Sequence, residues 1–232
     1  MRIIPTLLAL AVLVLPVGAR AQHNPVVLEL FTSQGCSSCP PADALLSELS
    51  GREGIIALAL HVDYWDYLGW KDSFGKPAHT KRQRAYAKAM HKRSVFTPQI
   101  VVQGEDRLVG HDAEAIERRI AAHRAKPPAV SLAVDRGAGG TLSIGIKPLA
   151  PGIGPSDVHL VRFIPHHGVS IESGENAGHH FDYTDIVTRW ETVAEWDGRS
   201  EGRLLVEDVE GPVAVIVQRK RMGAILSAAK LR

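Results

Sequence analysis

Ile55 to Val62 reads Ile-Ile-Ala-Leu-Ala-Leu-His-Val, a run of strand length with one polar residue in it. A strand facing water on one side alternates apolar and polar residues, so this run predicts a strand covered on both faces, the pattern of parallel sheets. Val26 to Phe31 predicts a second strand. Between the two, Ala42 to Leu49 places Leu45, Leu46 and Leu49 on one helical face, and Gly51 closes the helix. A strand, a helix and a buried strand imply a right-handed crossover between parallel neighbours.

Residues 63 to 78 are aromatic and irregular, and a polar helix is expected from about His79 to Lys92. Thr97-Pro98 leads into a strand at Ile100 to Val102, Gly104 turns the chain into Leu108-Val109, and a helix from Asp112 to Arg124 ends at the Pro127-Pro128 break. From Ala129 the pattern changes to short apolar runs separated by Gly, Pro, Asp and Ser. Strands are expected at Ser131 to Val134, Leu142 to Ile146, Val158 to Ile164, Ile186 to Trp196, Arg203 to Val206 and Val213 to Gln218. Residues 128–232 are therefore expected to form a mainly antiparallel β domain, a sandwich, after an α/β domain over residues 22–127. With 45% hydrophobic residues the chain can bury one large core or two modest ones, and the two prolines favour two.

At the N-terminus Arg2, an apolar stretch from Ile3 to Leu15 and Ala19-Arg20-Ala21 have the form of an export signal over residues 1–21, cleaved after Ala21. The stretch is interrupted by Pro5 and Pro16 and is shorter than the roughly 20 residues of a spanning helix. The mature protein is expected in the periplasm or outside the cell, with no membrane attachment. Loss of Arg2 and Arg20 takes the formal charge from +2 to zero. Nothing in that balance suggests a nucleic-acid partner.

Cys36 and Cys39 are the only cysteines. They stand where the first strand gives way to the helix. A bridge between residues three apart closes so small a loop that it removes little unfolded-chain entropy; stabilising bridges close loops of about 15 residues or more. The pair is expected to react or to bind. Amides and dipole at a helix start favour the thiolate, which is the attacking species. Pro40 and Pro41 remove two of those amides, and the Ser37 and Ser38 hydroxyls are expected to replace part of the loss.

A Cys-x-x-Cys between strand and helix, followed by a Thr-Pro that opens a later strand, resembles the thioredoxin superfamily over residues 25 to 125. The runs from Glu29 to Asp43, His61 to Trp65 and Gly174 to Gly178 resemble more closely a group of secreted thioredoxin-like bacterial proteins, domain of unknown function 1223. The resemblance implies an α/β thioredoxin-like domain with a helical and aromatic insertion at residues 63 to 94. It implies Cys36 as nucleophile, Cys39 as resolving cysteine, and a cis-proline at Pro98 beside them, with Thr97 contacting substrate. It implies no dissolved cofactor and protein dithiols or disulfides as partners. Two departures stand out: no tryptophan precedes Cys36, and Leu30 occupies the position of the buried acid. Glu29 is adjacent but points to the other face of its strand.

Glu29, His61 and Asp63 are candidate proton carriers, the last two at the strand end where sites of parallel sheets collect; a solvated or edge glutamate and a loop packed over the sheet edge are the alternatives. Tyr64, Trp65 and Trp70 are candidates for a substrate-facing aromatic surface; packing of a loop over the sheet edge is the alternative. Arg82, Gln83 and Tyr86 share one helical face. Gly174-Glu175-Asn176, Trp190 and Trp196 suggest a docking surface or, equally, turns and core. Adjacent pairs such as His166-His167 and His179-His180 do not chelate as a unit on a strand, and zinc would need two ligands besides the cysteines. Cu(I) accepts two thiolates, so a periplasmic copper carrier or copper-site thiol protein using Cys36 and Cys39 is the alternative to a thiol-disulfide oxidoreductase. No Gly-x-Ser-x-Gly elbow suggests a hydrolase.

Overall fold

A computed structural model describes residues 25–232. The segment read as an export signal lies outside the described residues. Strand β1 (Val26–Thr32) leads through a loop to helix α1 (Pro40–Ser50) and strand β2 (Ile55–His61). β1 and β2 pair in parallel with every residue of both buried, as the apolar run at 55–62 requires. Helix α2 (Pro77–Ala89), strands β3 (Gln99–Val102) and β4 (Asp106–Val109) and helix α3 (Ala113–Arg124) follow. The remainder is strands β5 (Val130–Arg136), β6 (Leu142–Pro148), β7 (Ser156–Ser170), β8 (His180–Trp196), β9 (Gly202–Val206), β10 (Val213–Arg219) and β11 (Ile225–Leu231).

The expected architecture, an α/β thioredoxin-like domain followed by a β sandwich, is overturned by how these strands pair. Eight of them form one mixed sheet in the order β11-β10-β7-β8-β2-β1-β3-β4, and β5-β6-β9 make a separate three-stranded sheet. β8 lies parallel to β2 through the pair Ala59 and Ile186, so strands from both halves of the chain share one sheet. The described residues are mostly β, with α1, α2 and α3 as the α-helices. The reason is burial. β2 is apolar on both faces and cannot serve as an edge, and β8 is the neighbour that covers it.

Three clusters fill the interior. Leu28, Leu30, Ala57, Ala59 and Ile100 on one sheet face meet Leu46 and Leu49 of α1 and Ile116 and Ile120 of α3. The opposite face carries Val27, Phe31, Leu58 and Leu60 from the first half together with Val161, Phe163, Ala214 and Ile216 from the second. That face closes on itself because β11 returns to the β3–β4 turn. There the Ile225 amide donates to the Gln103 carbonyl (2.9 Å), and Gln103 Nε2 donates to the Ile225 carbonyl (2.8 Å). Gly104 permits the approach: a Cβ there would stand 2.7 Å from the Gly223 carbonyl oxygen, and its φ is +71°. The small sheet packs Leu142, Ile144 and Ile146 against Val158, Leu160, Val213 and Val215.

Glu29 belongs to this interior. Its carboxylate takes a two-point contact from Arg82 (Nε to Oε2 2.5 Å, Nη2 to Oε1 2.9 Å) and a hydrogen bond from the Tyr86 hydroxyl (2.5 Å). Arg82 also donates to Gln218 of β10 (3.0 Å) and stacks on Trp190 of β8 (3.6 Å to the ring centroid). The residues that look solvated on α2 therefore tie that helix to both halves of the sheet. Burial raises the Tyr86 hydroxyl pKa well above its usual value.

Candidate functional site

The loop after β1 and the start of α1 build the site. Cys36 and Cys39 are joined by a disulfide. Cys39 caps α1, and its carbonyl accepts the amides of Ala42 (2.8 Å) and Asp43 (3.2 Å) just past the two prolines. Cys39 is fully buried and Cys36 is 4% exposed, so Cys36 is the outer sulfur. Ser37 and Ser38 between them are exposed. Ser38 Oγ lies 3.5 Å from Cys36 Sγ, whereas Ser37 turns away to donate to Glu175 (2.7 Å).

Thr97 and Pro98 arrive from the loop before β3. Their peptide bond is cis, and Thr97 Oγ1 donates to Cys36 Sγ at 3.2 Å. Pro98 lies against the start of α1. A Cβ at Gly110 would meet Leu30 Cδ1 at 2.8 Å, Pro98 Cβ at 3.0 Å and Ala42 Cβ at 3.1 Å, so only glycine lets these three converge. Trp65 adjoins the same point, with its indole nitrogen donating to Thr97 Oγ1 (2.7 Å).

Below the dithiol is a buried acid that sequence reasoning passed over. Asp43 follows Cys39 by four residues, on the same side of the helix, and accepts from Thr32 Oγ1 at 3.0 Å. Its Oδ1 is buried without a partner, and so is Nε2 of His61. Burial pushes the Asp43 carboxyl up to about 7; His61 and the Thr32 hydroxyl pull against that shift and Asp72 adds to it. His61 Nδ1 is 2.8 Å from Asp72 Oδ2, with Phe74 and Tyr183 edge-on to its ring. Burial opposes the Asp72 charge, yet His61 and the amides of Gln34 and Phe74 hold that carboxyl below its usual range. The available signal for Asp43 was its place three residues before Leu46, inside the apolar stripe of α1.

The other expected residues fall as follows. Asp63 accepts from Thr80 of α2 (2.5 Å), and Tyr64 donates to Gln83 (3.2 Å). Trp70 donates to Gln34 (2.8 Å) and so braces the loop before Cys36. Glu29 lies on the sheet face opposite α1, away from the sulfurs. A segment of the second half completes the site: the tip between β7 and β8. There Asn176, 7% exposed, donates through Nδ2 to the carbonyls of Gln34 (2.8 Å) and Cys36 (3.1 Å). Among the described residues no group of three or more His, Cys, Asp or Glu side chains is arranged to hold a metal ion, and no helix is long and apolar enough to cross a membrane.

The chain is similar to the crystal structure of a protein from Agrobacterium tumefaciens, with 32% identity and a TM-score of 0.78 over 91% of this chain and 96% of that one. It is also similar to HBP35 of Porphyromonas gingivalis, with 17% identity and a TM-score of 0.55 over 90% of this chain and 75% of that one, a likeness of fold alone. No curated protein matches it. A family model described as protein of unknown function (DUF1223) matches residues 27–218, which run from Val27 in β1 to Gln218 in β10 and include every residue of the site above, and the chain belongs to that family.

Proposed function

We propose that the protein is an exported thiol-disulfide oxidoreductase that exchanges disulfides with protein partners through Cys36 and Cys39, using the chemistry of the thioredoxin superfamily on a different architecture. The observation that carries this reading is the asymmetric dithiol: an outer sulfur that accepts a hydrogen bond from Thr97, joined to an inner sulfur one helical turn from a buried carboxyl. In the reduced protein, the Cys36 thiolate attacks one sulfur of a partner disulfide. That bond breaks, and the departing partner thiolate takes a proton from water. Cys39 then gives its proton to Asp43 and attacks Cys36 Sγ, releasing the second partner thiolate, which is protonated in turn. The partner disulfide gains two electrons and becomes a dithiol, while Cys36 and Cys39 lose two and form the bond seen here. The reverse sequence oxidises a partner, and relative reduction potentials set the direction.

A carboxyl poised near neutrality suits the second step, because it accepts a proton at one stage and returns it at another. Export suits partners that carry disulfides. The test is trapping with a peptide disulfide followed by acid quench and mass spectrometry. Cys39→Ser is expected to accumulate a mixed disulfide at Cys36, and Cys36→Ser to form none. Equal turnover by Cys36→Ser and the unmodified protein would refute the reading.

A further inference from the structure

We infer that Trp65 is a positioning residue for the nucleophile: its indole N–H occupies the oxygen of the Thr97 hydroxyl and so directs that hydroxyl's single proton onto the sulfur of Cys36. The inference deepens the exchange reading and rests on it.

The geometry is a chain of two bonds, Trp65 Nε1 to Thr97 Oγ1 at 2.7 Å and Thr97 Oγ1 to Cys36 Sγ at 3.2 Å. An indole nitrogen can only donate, whereas a threonine hydroxyl has one proton and rotates to suit its surroundings. With an N–H pointing at its oxygen, the hydroxyl must turn its own proton away from Trp65, and the bond it makes is to Cys36 Sγ. The Tyr64 hydroxyl also neighbours Thr97; its own proton goes to Gln83 Oε1 (3.2 Å), so its oxygen is the competing acceptor, a neutral one against which the charged thiolate of reduced Cys36 makes the stronger bond. Gln83 is held in that orientation because its Nε2 donates to the Phe96 carbonyl (2.8 Å) and to Gln99 Oε1 (3.1 Å).

Both ends of the chain are anchored. Trp65 heads a single 3-10 turn at Asp66–Leu68, closed by the Leu68 amide on the Trp65 carbonyl (3.0 Å), and its ring neighbours those of Tyr64 (5.7 Å between centroids) and Tyr67 (6.3 Å). The backbone of Gly35 runs beside it, since a Cβ there would stand 3.4 Å from Trp65 Cβ. Thr97 is set by its bond to Pro98, packed at the start of α1. In the disulfide the sulfur is a weak acceptor. On reduction it becomes a thiolate facing a donor already aimed at it, and a hydrogen bond to the charged form favours that form. Trp65 therefore acts through Thr97, on the ionisation of Cys36.

The other charged and titratable groups around this point are Cys39 and Asp43 of α1, Glu175 through Ser37, and Tyr64, which Arg84 and Arg107 approach. Asp43 and Glu175 oppose a thiolate as anions. All of them persist in the variants below, so differences between variants isolate the two-bond chain.

The experiment follows the pH dependence of iodoacetamide alkylation at Cys36 in the reduced full chain, with the site located by mass spectrometry and the fold checked by circular dichroism. Thr97→Val is expected to raise the midpoint and slow alkylation at pH 6 roughly tenfold, the scale of one lost charge-assisted bond. Trp65→Phe keeps the ring without the N–H, and is expected to move the profile the same way by about threefold. The double variant is expected to match Thr97→Val, because the two residues act in series. A Trp65→Phe profile coincident with the unmodified protein, or one that adds its full effect to Thr97→Val, would overturn the role of Trp65. If Trp65→Phe does not fold, 3-benzothienylalanine at position 65 removes the N–H and keeps the shape. A wild-type midpoint at or above the free-thiol value of about 8.5 would defeat the exchange reading itself. A lowered midpoint that Trp65→Phe leaves in place defeats only the positioning role.

Discussion

Asp43 couples the chemistry of the site to the stability of the protein. Its carboxyl titrates near 7 in the fold and near 3.8 unfolded, so between those values the native state holds the extra proton and stability falls as pH rises. Below about 4 the cost is absent, and above about 7 it is complete, a matter of a few kcal/mol. His79 and His159 run the other way. Burial lowers them to about 4 and about 3, so the unfolded chain binds their protons first and stability rises with pH up to about 6.5. Comparison with Asp43→Asn cancels the histidines. The variant is expected to gain on the unmodified protein from pH 4 to 7 and to hold that gain above 7, as read by urea unfolding at fixed pH. A difference that does not change with pH would show that Asp43 is not the buried acid described here. At this scale Cys36, Cys39 and Thr97-Pro98 were legible because their spacing and residue types are unusual. Asp43 was not, because a carboxylate at one position of a helix stripe looks like surface until the packing partner is known. Glu29 shows the converse: its strand position was visible, but its partners Arg82 and Tyr86 come from more than fifty residues away.

Among the elements, the tip between β7 and β8 has the closest bearing on access to Cys36. Its contacts with the dithiol loop are the two Asn176 bonds and the exposed bond from Ser37 to Glu175. Asn176→Ala leaves the Gln34 and Cys36 carbonyls without that donor and loosens the loop that carries the outer sulfur. Its disulfide is expected to be reduced several-fold faster by a small thiol reductant than in the unmodified protein, with a loss of stability of about 1 to 3 kcal/mol. Unchanged reduction kinetics in a destabilised variant would mean that the tip braces the fold without controlling access. Most elements were visible from hydrophobic period and turn residues, and α1, β2 and β10 lie close to their expected bounds. The long hairpin was not: β7 extends to Ser170 and β8 begins at His180, well beyond the apolar runs. Much of their outer ends is polar and exposed and is held by pairing with each other, and the one short alternation there, Phe181 to Thr184, buries Tyr183 against His61 of the first half.

The molecule as a whole depends on strands from both halves completing one sheet. Removal of residues 128–232 would expose Leu58, Leu60, Val27 and Phe31 on the face that Val161, Phe163 and Ile216 cover, and would leave β2 with an open edge. The truncated chain 25–127 is expected to lack a cooperative thermal transition and to aggregate; a soluble fragment with a sharp transition would contradict the shared core. The sequence by itself determined the local pieces, because helix period, turn residues and a dithiol at a strand-to-helix junction are encoded within a few neighbours. It also determined that β2 must be covered on both sides. Which strand covers it, which acid sits beneath Cys39 and which residues aim a proton at Cys36 were decided only by tertiary structure. The Trp65–Thr97, Thr97–Cys36 and Ala59–Ile186 pairings join residues 32, 61 and 127 apart, and burial over such distances leaves no periodic trace in the chain; Asp43 stands only four residues from Cys39, but its burial is set by the strands packed against α1.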